Sequence, residues 1–313
     1  MTETVILAMA REAAAPPAVT RAQRPAIAVL GAGRAGSALA VALVGAGYPL
    51  AAVWSRDGEE AARLAARLGA EPAATPLQAI SAARITLICV PERAIVPLAT
   101  QVAATGAALT GRGVVHVSAS RGPEALAALR IAGARVGCFH PPQALADPAS
   151  ARLLHGALVA IEADPPLRQE LERMGREVGG RPFALPPGSR ALYHAAATLA
   201  GNAPLALLAS ATELLVVAGL GTEEAEQGLA ALMAGALSNA RRVGARSALT
   251  GPIARNDAAT VALHLEALRS HPEADKLYRA LANAAVNLAG EAGREEILHL
   301  LNQPPPHTAE TPP

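Results

Sequence analysis

The sequence predicts an α/β fold in two parts, a doubly wound parallel sheet followed by an all-helical domain. Three observations carry this. Short apolar runs alternate with helical-period segments from Ala26 to about Leu185. The first run leads into glycines spaced GxGxxG, and from Ser189 to Leu301 helix follows helix without a convincing strand signal. The spacing places the first domain at residues 25–187 and the helical domain at 188–302, with residues 1–24 and 303–313 as disordered tails.

The first element is AIAVLGAGRAGSALAVALVGAG, Ala26 to Gly47, which reads as strand, tight turn and helix. Gly31 suits the turn, Gly33 lets backbone approach a pyrophosphate, and Gly36 permits close helix-to-strand packing. The helix N-terminus then offers unpaired N–H groups and a positive dipole end to an anion, so the context predicts a dinucleotide site. Leu50 to Trp54 is the second strand, and the residues after it bear on the nucleotide. A site for NAD expects a carboxylate there for the ribose hydroxyls, whereas this chain reads Ser55-Arg56. A hydroxyl and a guanidinium suit a 2′-phosphate, which favours NADP (NADPH). Arg34, inside the turn, is a second candidate phosphate contact. Asp57 and Glu59 oppose the assignment unless they serve the first turn of the helix Asp57 to Leu68.

Arg84 to Val90, Gly113 to Val117 and Arg135 to Phe139 read as further strands, with helices Ala94 to Ala104 and Pro123 to Ile131 between them. Alternation of this kind implies parallel strands with right-handed crossovers, and ligands then lie beyond the carboxyl ends. Val90, Pro91, Ser118, Ser120 and His140 stand at such ends. Ala157 to Glu162 and Pro182 to Leu185 add one or two strands around the helix Leu167 to Val178. In the second domain the longest helix runs from Ser189 to Ala218. Pro204 inside it costs ~3 kcal/mol relative to alanine, so a kink near Gly201-Asn202 and deep burial are expected. A helix from Thr222, capped by that threonine, extends to Ala245. A Gly-Pro break at Leu249 to Asp257 follows, then a helix capped by Asn256 or Asp257, and a last pair over Glu273 to Gly290 and Arg294 to Leu301.

Composition narrows the function classes. The formal charge is +1 and aromatics are 2% of the chain, with no basic blocks, which argues against nucleic acid. Cys89 and Cys138, the only cysteines, sit in runs that read as buried strands, so a reducing, cytoplasmic setting fits better than a disulfide framework. Residues 1–24 lack the pattern of a secretory signal. The uncharged run Ala195 to Thr212 is nearly long enough to span a bilayer, yet its alanines with Asn202 and Pro204 favour a buried helix over a membrane. No His/Cys/Asp cluster suggests a metal.

Lys276 is the single lysine and sits in a charged stretch, so proton transfer falls to histidine or tyrosine. His140 follows a strand directly, before Pro141-Pro142. His194, next to Tyr193, shares a helical face with Thr198 and, a turn further, Gly201 or Asn202, a placement suited to holding a substrate. His116 alternates inside a strand and reads as structural, and His264 and His271 lack ligand spacing.

Several of these strings resemble the Rossmann-like, DUF2520-containing oxidoreductase family. They are GAGRAG, the Val90-Pro91 strand end, His116 to Ser120, His140-Pro141 with Gln143, YHAAA from Tyr193 with Asn202, ALTGPIAR from Ala248 to Arg255, His264-Leu265 and Leu277-Tyr278. The resemblance implies a relative of pyrroline-carboxylate reductase and 6-phosphogluconate dehydrogenase: NADP binding, a helical carboxyl domain of the latter's type, and a homodimer joined through it. Some members are similar to a ketopantoate reductase. The chain departs from the family's pattern at Ala119, where Ser118 is usually followed by glycine, at Pro142 for leucine and at Asn256 for glycine.

Residues and resemblance together lead us to expect an NADPH-dependent reductase of a small 2-oxo acid, with 2-dehydropantoate the best single candidate. In this scheme His194 or His140 protonates the oxygen, Asn202 and Thr250 orient the substrate, and Arg255 pairs with its carboxylate. A cyclic-imine reductase and a non-catalytic NADP(H)-binding regulator are the alternatives.

Overall fold

The computed structural model describes residues 24–290 and 292–303. The expected tails lie outside the described residues except for their inner ends. Arg24 is part of the fold: its Nη2 sits 3.4 Å from Glu177 Oε1 and its guanidinium lies 5.6 Å from the centre of the Tyr48 ring. Two compact units divide between Gly201 and Asn202.

The first unit is built on an eight-stranded sheet of order β3-β2-β1-β4-β5-β6-β7-β8. Its strands are β1 (Ile27–Leu30), β2 (Leu50–Trp54), β3 (Glu71–Pro72), β4 (Ile85–Ile88), β5 (Gly113–His116), β6 (Arg135–His140), β7 (Leu158–Ala163) and β8 (Arg181–Ala184). The helices are α1 (Arg34–Gly45), α2 (Gly58–Leu68), α3 (Pro76–Ala82), α4 (Glu92–Ala103), α5 (Ala127–Ile131), α6 (Pro165–Glu177) and α7 (Arg190–Gly201). Every strand pair is parallel except β6 with β7. The uniformly parallel sheet expected from alternation therefore fails at this one pair. Between β6 and β7 the chain makes only a Pro-Pro turn and the short 3-10 segment Pro148–Leu154, no helical crossover, so β7 returns in the opposite direction. The sequence reading also missed β3 and α3, because β3 is two exposed residues and α3 only seven.

Alternation along the central strands builds two cores. In β1, Ile27 and Val29 face Leu39, Leu43 and Phe139, whereas Ala28 and Leu30 face Ile80, Leu98 and Leu129. In both layers the apolar side chains are sealed from solvent, with Ile27, Leu30, Leu43, Ile80 and Leu129 fully buried.

The second unit holds α8 (Ala203–Val217), α9 (Thr222–Val243), the single turns α10 (Ala245–Ala248) and α11 (Gly251–Ala254), α12 (Ala258–Ala267), α13 (Pro272–Ala289) and α14 (Glu295–Asn302). The long helix expected from Ser189 to Ala218 is interrupted at Asn202, where the kink was placed. Pro204 thereby falls in the first turn of α8, where a missing N–H costs little, which removes the penalty of an interior proline. Thr222 does not cap α9; Gly221 does, with Glu223 and Glu224 in the first turn. Asp257 caps α12 by accepting from the Thr260 amide at 3.0 Å.

Deep burial of the apolar helix is contradicted. No residue of α7 is buried, and Thr212 is the only buried residue of α8. The stretch Arg190–Val217 is long and apolar enough to cross a membrane by length and composition, and only 6% of its apolar 18-residue window is buried. The cause is a small core: Ile253, Val261, Ala282, Val286, Ile297 and Leu301 are the buried apolar cluster of the helical unit, drawn from its later helices.

Asn256 has φ +58°, the one non-glycine residue in the left-handed region among the described residues. A Cβ is strained at this φ, so glycine suits it best and asparagine is the next most tolerant. Its Nδ2 also donates to the Gly293 carbonyl. Asn256→Ala should destabilise the helical unit by about 1–2 kcal/mol, with Asn256→Gly costing clearly less. Denaturant unfolding of the two variants measures this, and equal losses would show that the hydrogen bond, not the backbone, sets the cost.

Candidate functional site

The glycine turn has the geometry its spacing implies. Gly31 has φ +106°, and a Cβ on it would lie 2.7 Å from the Cys89 carbonyl oxygen, so glycine is required twice over. A Cβ on Gly36 would overlap the Gly31 carbonyl oxygen. Gly33 is exposed, with nothing within 4 Å of where a Cβ would stand, which leaves its backbone open to a ligand. It caps α1 with no side-chain hydrogen bond, and no acidic residue occupies the first turn. The N–H groups there are free for an anion, and Arg34 stands exposed beside them.

At the end of β2, Asp57 is committed to capping α2 through the amides of Glu59 and Glu60, and Glu59 pairs with Arg63 at 3.3 Å. The two carboxylates that counted against a 2′-phosphate thus have structural partners. Arg56 is exposed. Glu60, which sequence reading passed over, accepts a hydrogen bond from Ser55 Oγ at 3.3 Å. Ser55 and Arg56 fit a phosphorylated ribose, and Glu60 is the group that must yield the Ser55 hydroxyl to it.

Past β4, Val90 is half-buried against the core and Pro91 caps α4. Past β5, Ser118 Oγ donates to Glu92 Oε2 at 3.3 Å, and Arg121 pairs with the same carboxylate at 3.2 Å. Bonds from Ser120 first, then Ser118 and Arg121, hold the Glu92 carboxyl below the usual range. His116 is fully buried, as its alternation suggested. Its Nε2 donates to the Gly122 carbonyl at 2.9 Å while Nδ1 accepts from the Ser118 amide at 3.2 Å. Burial lowers its pKa, and its role is to shape the loop that carries Ser118 and Ser120. Cys138 is buried beside it and Cys89 half-buried, both as free thiols; burial pushes each up to about 12.

The first turns of α7 bring the remaining groups together. Arg190 donates to Glu162 at the end of β7 and, at 2.9 Å, to the Ala119 carbonyl, tying the helix start to two strand ends. Arg190, His194 and Thr198, four residues apart, line one open groove with Ser120; its volume is about 820 Å³. Beside it the Tyr193 hydroxyl lies 2.6 Å from His140 Nδ1, with the rings edge to face. His194 itself is exposed.

The protonation states follow from burial. It lowers the His140 pKa to about 4, helped by the positive fields of His194, Arg190 and His116. It raises Tyr193 to about 12. At neutral pH the pair is therefore a phenol donating to a neutral imidazole, and the ring proton is on Nε2. His140 offers a hydrogen-bond donor there, not the cationic acid that its ordinary pKa suggested.

Sequence reasoning reached His140, His194 and Ser118 but missed Arg190 and Glu162. Arg190 had a signal, four residues before His194; Glu162 had none, because only sheet order brings β7 beside β6. Asn202, Thr250 and Arg255 belong to the helical unit. Asn202 caps α8, Thr250 caps α11, and Arg255 is exposed at the end of that turn.

An unfolded histidine takes up its proton below about pH 6.5, whereas folded His140 resists it until about 4. Its contribution to stability is thus full above 6.5 and lost as pH falls to 4, a change of about 3 kcal/mol at most. Melting curves at pH 7 and 4.5 should show a larger loss for the native chain than for His140→Gln, which keeps an acceptor for Tyr193. Equal losses would mean that His140 titrates normally.

Residues 12–141 match the model of a Rossmann-like domain, and residues 157–285 that of DUF2520, a domain of unknown function. No functionally curated protein matches the sequence. Among solved structures, protein TM1727 of Thermotoga maritima is 21% identical with a TM-score of 0.67, covering 84% of this chain and 98% of its own. A pyrroline-5-carboxylate reductase of Coxiella burnetii is 20% identical, TM-score 0.58, over 85% of this chain and 97% of its own. A reductive aminase of Aspergillus terreus, in complex with NADPH and ethyl levulinate, is 22% identical, TM-score 0.55, over 84% and 94%. These likenesses agree with the fold, and the Rossmann-like and DUF2520 matches follow one another along the chain.

Proposed function

We propose that the chain is an NADPH-dependent reductase that transfers hydride to the C=O of a small 2-oxo acid, with 2-dehydropantoate as the specific candidate. The observation that carries the nucleotide assignment is the open glycine turn at Gly31, Gly33 and Gly36, ahead of an uncapped helix start. Arg34 and the α1 N–H groups would hold the pyrophosphate, Ser55 and Arg56 the 2′-phosphate, and Val90, Pro91 and Ser118 the nicotinamide end. The NADPH in the related reductive aminase supports this choice. Bound NADPH supplies the hydride.

The chain's own groups supply hydrogen bonding. Neutral His140, held in one tautomer by Tyr193, presents Nε2–H to the oxygen on which charge develops. His194, exposed on the groove, is the second proton source. As expected from the sequence, Asn202 and Thr250 would orient the substrate and Arg255 would pair with its carboxylate. The low His140 pKa also favours a second reading, reduction of a cyclic imine. An iminium arrives already protonated and needs no strong acid.

The uncovered apolar helices suggest a homodimer. Leu205, Val217, Leu232 and Leu237 are more than 60% exposed, in a unit whose own core is small. Arg190 and Glu213 within Arg190–Val217 suit a protein partner better than lipid. The free thiols suit a cytoplasmic setting.

NADPH oxidation over a panel of 2-oxo acids and cyclic imines tests the chemistry. The double variant His140→Ala, His194→Ala should lose about two decades or more of rate on an oxo acid and far less on an imine. Tight NADPH binding without turnover on any acceptor would make the chain a nucleotide-binding regulator instead. Arg56→Asp should weaken NADPH far more than NADH by calorimetry; an equal effect would sink the 2′-phosphate assignment. Light scattering at micromolar concentration should give twice the chain mass, and a monomer would overturn the dimer.

A further inference from the structure

The helical unit contains a cavity of whose lining the reductase reading uses only Thr250. Its volume is about 390 Å³, within the range of small-molecule sites, and its walls come from α8, α11, α12 and α13. Leu214, Ile253 and Leu277 exemplify the apolar lining. The polar groups on it are Ser210, Thr250, His264 and Tyr278, and no Asp, Glu, Lys or Arg lines it. His264 Nδ1 and the Tyr278 hydroxyl are hydrogen-bonded at 2.9 Å, their ring centres 5.6 Å apart at 86°. Each ring therefore fixes the other at the cavity wall. Burial raises the Tyr278 pKa, so its oxygen stays a neutral hydroxyl.

We propose that this cavity binds an uncharged, mostly hydrocarbon small molecule of about one to two rings, carrying one hydroxyl, carbonyl or amide group that meets Thr250 and the His264–Tyr278 pair. A charged ligand is disfavoured because no counter-charge lines the walls, and desolvating an unpaired ion costs more than the apolar contact returns. A purely hydrocarbon occupant would cover the Thr250 hydroxyl and His264 Nε2, which the His264–Tyr278 bond does not use, without giving them partners. A helix from a second copy would cover them in the same way, which is why a small polar-tipped molecule fits better. The inference shares Thr250 with the reductase reading but none of the groups of the sheet unit, so it stands whether or not the chain reduces an oxo acid.

The test uses the full-length protein and 2-naphthol as probe, followed by its fluorescence at pH 8, with 2-naphthoate as the charged counterpart. Saturable binding of one 2-naphthol per chain is expected, with 2-naphthoate at least about tenfold weaker. Tyr278→Phe, a conservative change, should weaken 2-naphthol roughly five- to tenfold. Ala211→Trp, which fills the cavity from α8, should abolish binding while leaving the helical circular-dichroism signal in place. The proposal is overturned by non-saturable binding, by equal affinity for both probes, or by binding that neither substitution changes. It is also overturned if affinity falls as protein concentration rises, since a second copy would then be the occupant. Loss of NADPH turnover with 2-naphthol binding intact would count against the reductase reading alone.

Discussion

The close approach of α1 to the strand ends at Gly31, Gly36 and Cys89 is the constraint on which the sheet unit depends. No side chain fits between the Gly36 backbone and the Gly31 carbonyl, so the helix start is pressed onto the turn. That contact aims the free N–H groups of α1 past the carboxyl ends of β1 and β4. It also seats Leu39 and Leu43 in the core between helix and sheet. One backbone approach thus couples packing to the place where an anion can bind.

Neutral polar pairs recur in both units. His140 with Tyr193 and His264 with Tyr278 have nearly the same geometry, each a ring nitrogen against a phenol with the rings edge to face. Partial burial keeps each phenol protonated, and in the first pair it also keeps the imidazole neutral. Such pairs hold a donor or acceptor in a fixed direction without placing a charge in a low-dielectric setting, where an unpaired ion is costly. Where a charge does enter the sheet-unit site, as Arg190, it is matched by Glu162 and by backbone carbonyls.

The helical unit presents a different balance. Its buried apolar cluster is small, while α8 and α9 expose leucines and valines along most of their length. An alanine-rich helix satisfies its backbone internally at any depth, so composition shows that the helix forms without showing what it is packed against. The apolar run at Ala195 to Thr212 was accordingly read as a core helix, and the single chain leaves it uncovered.

Sequence alone determined the features governed by local rules. The glycine turn, the strands and helices through β6 other than β3 and α3, a cap at Asn256 or Asp257, the helix interruption at Asn202 and the buried role of His116 all follow from spacing, alternation or propensity, which act over a few residues. Tertiary structure decided what depends on distant neighbours. The direction of β7 turned on whether a crossover helix intervened. The meeting of Arg190 with Glu162 turned on sheet order, and the Ser55–Glu60 bond on how α2 leaves β2. The charge state of His140 turned on burial and on the fields of groups from two other elements, α7 and β5. A histidine's titration reports the dielectric and field around it, and neither is written in the residues beside it.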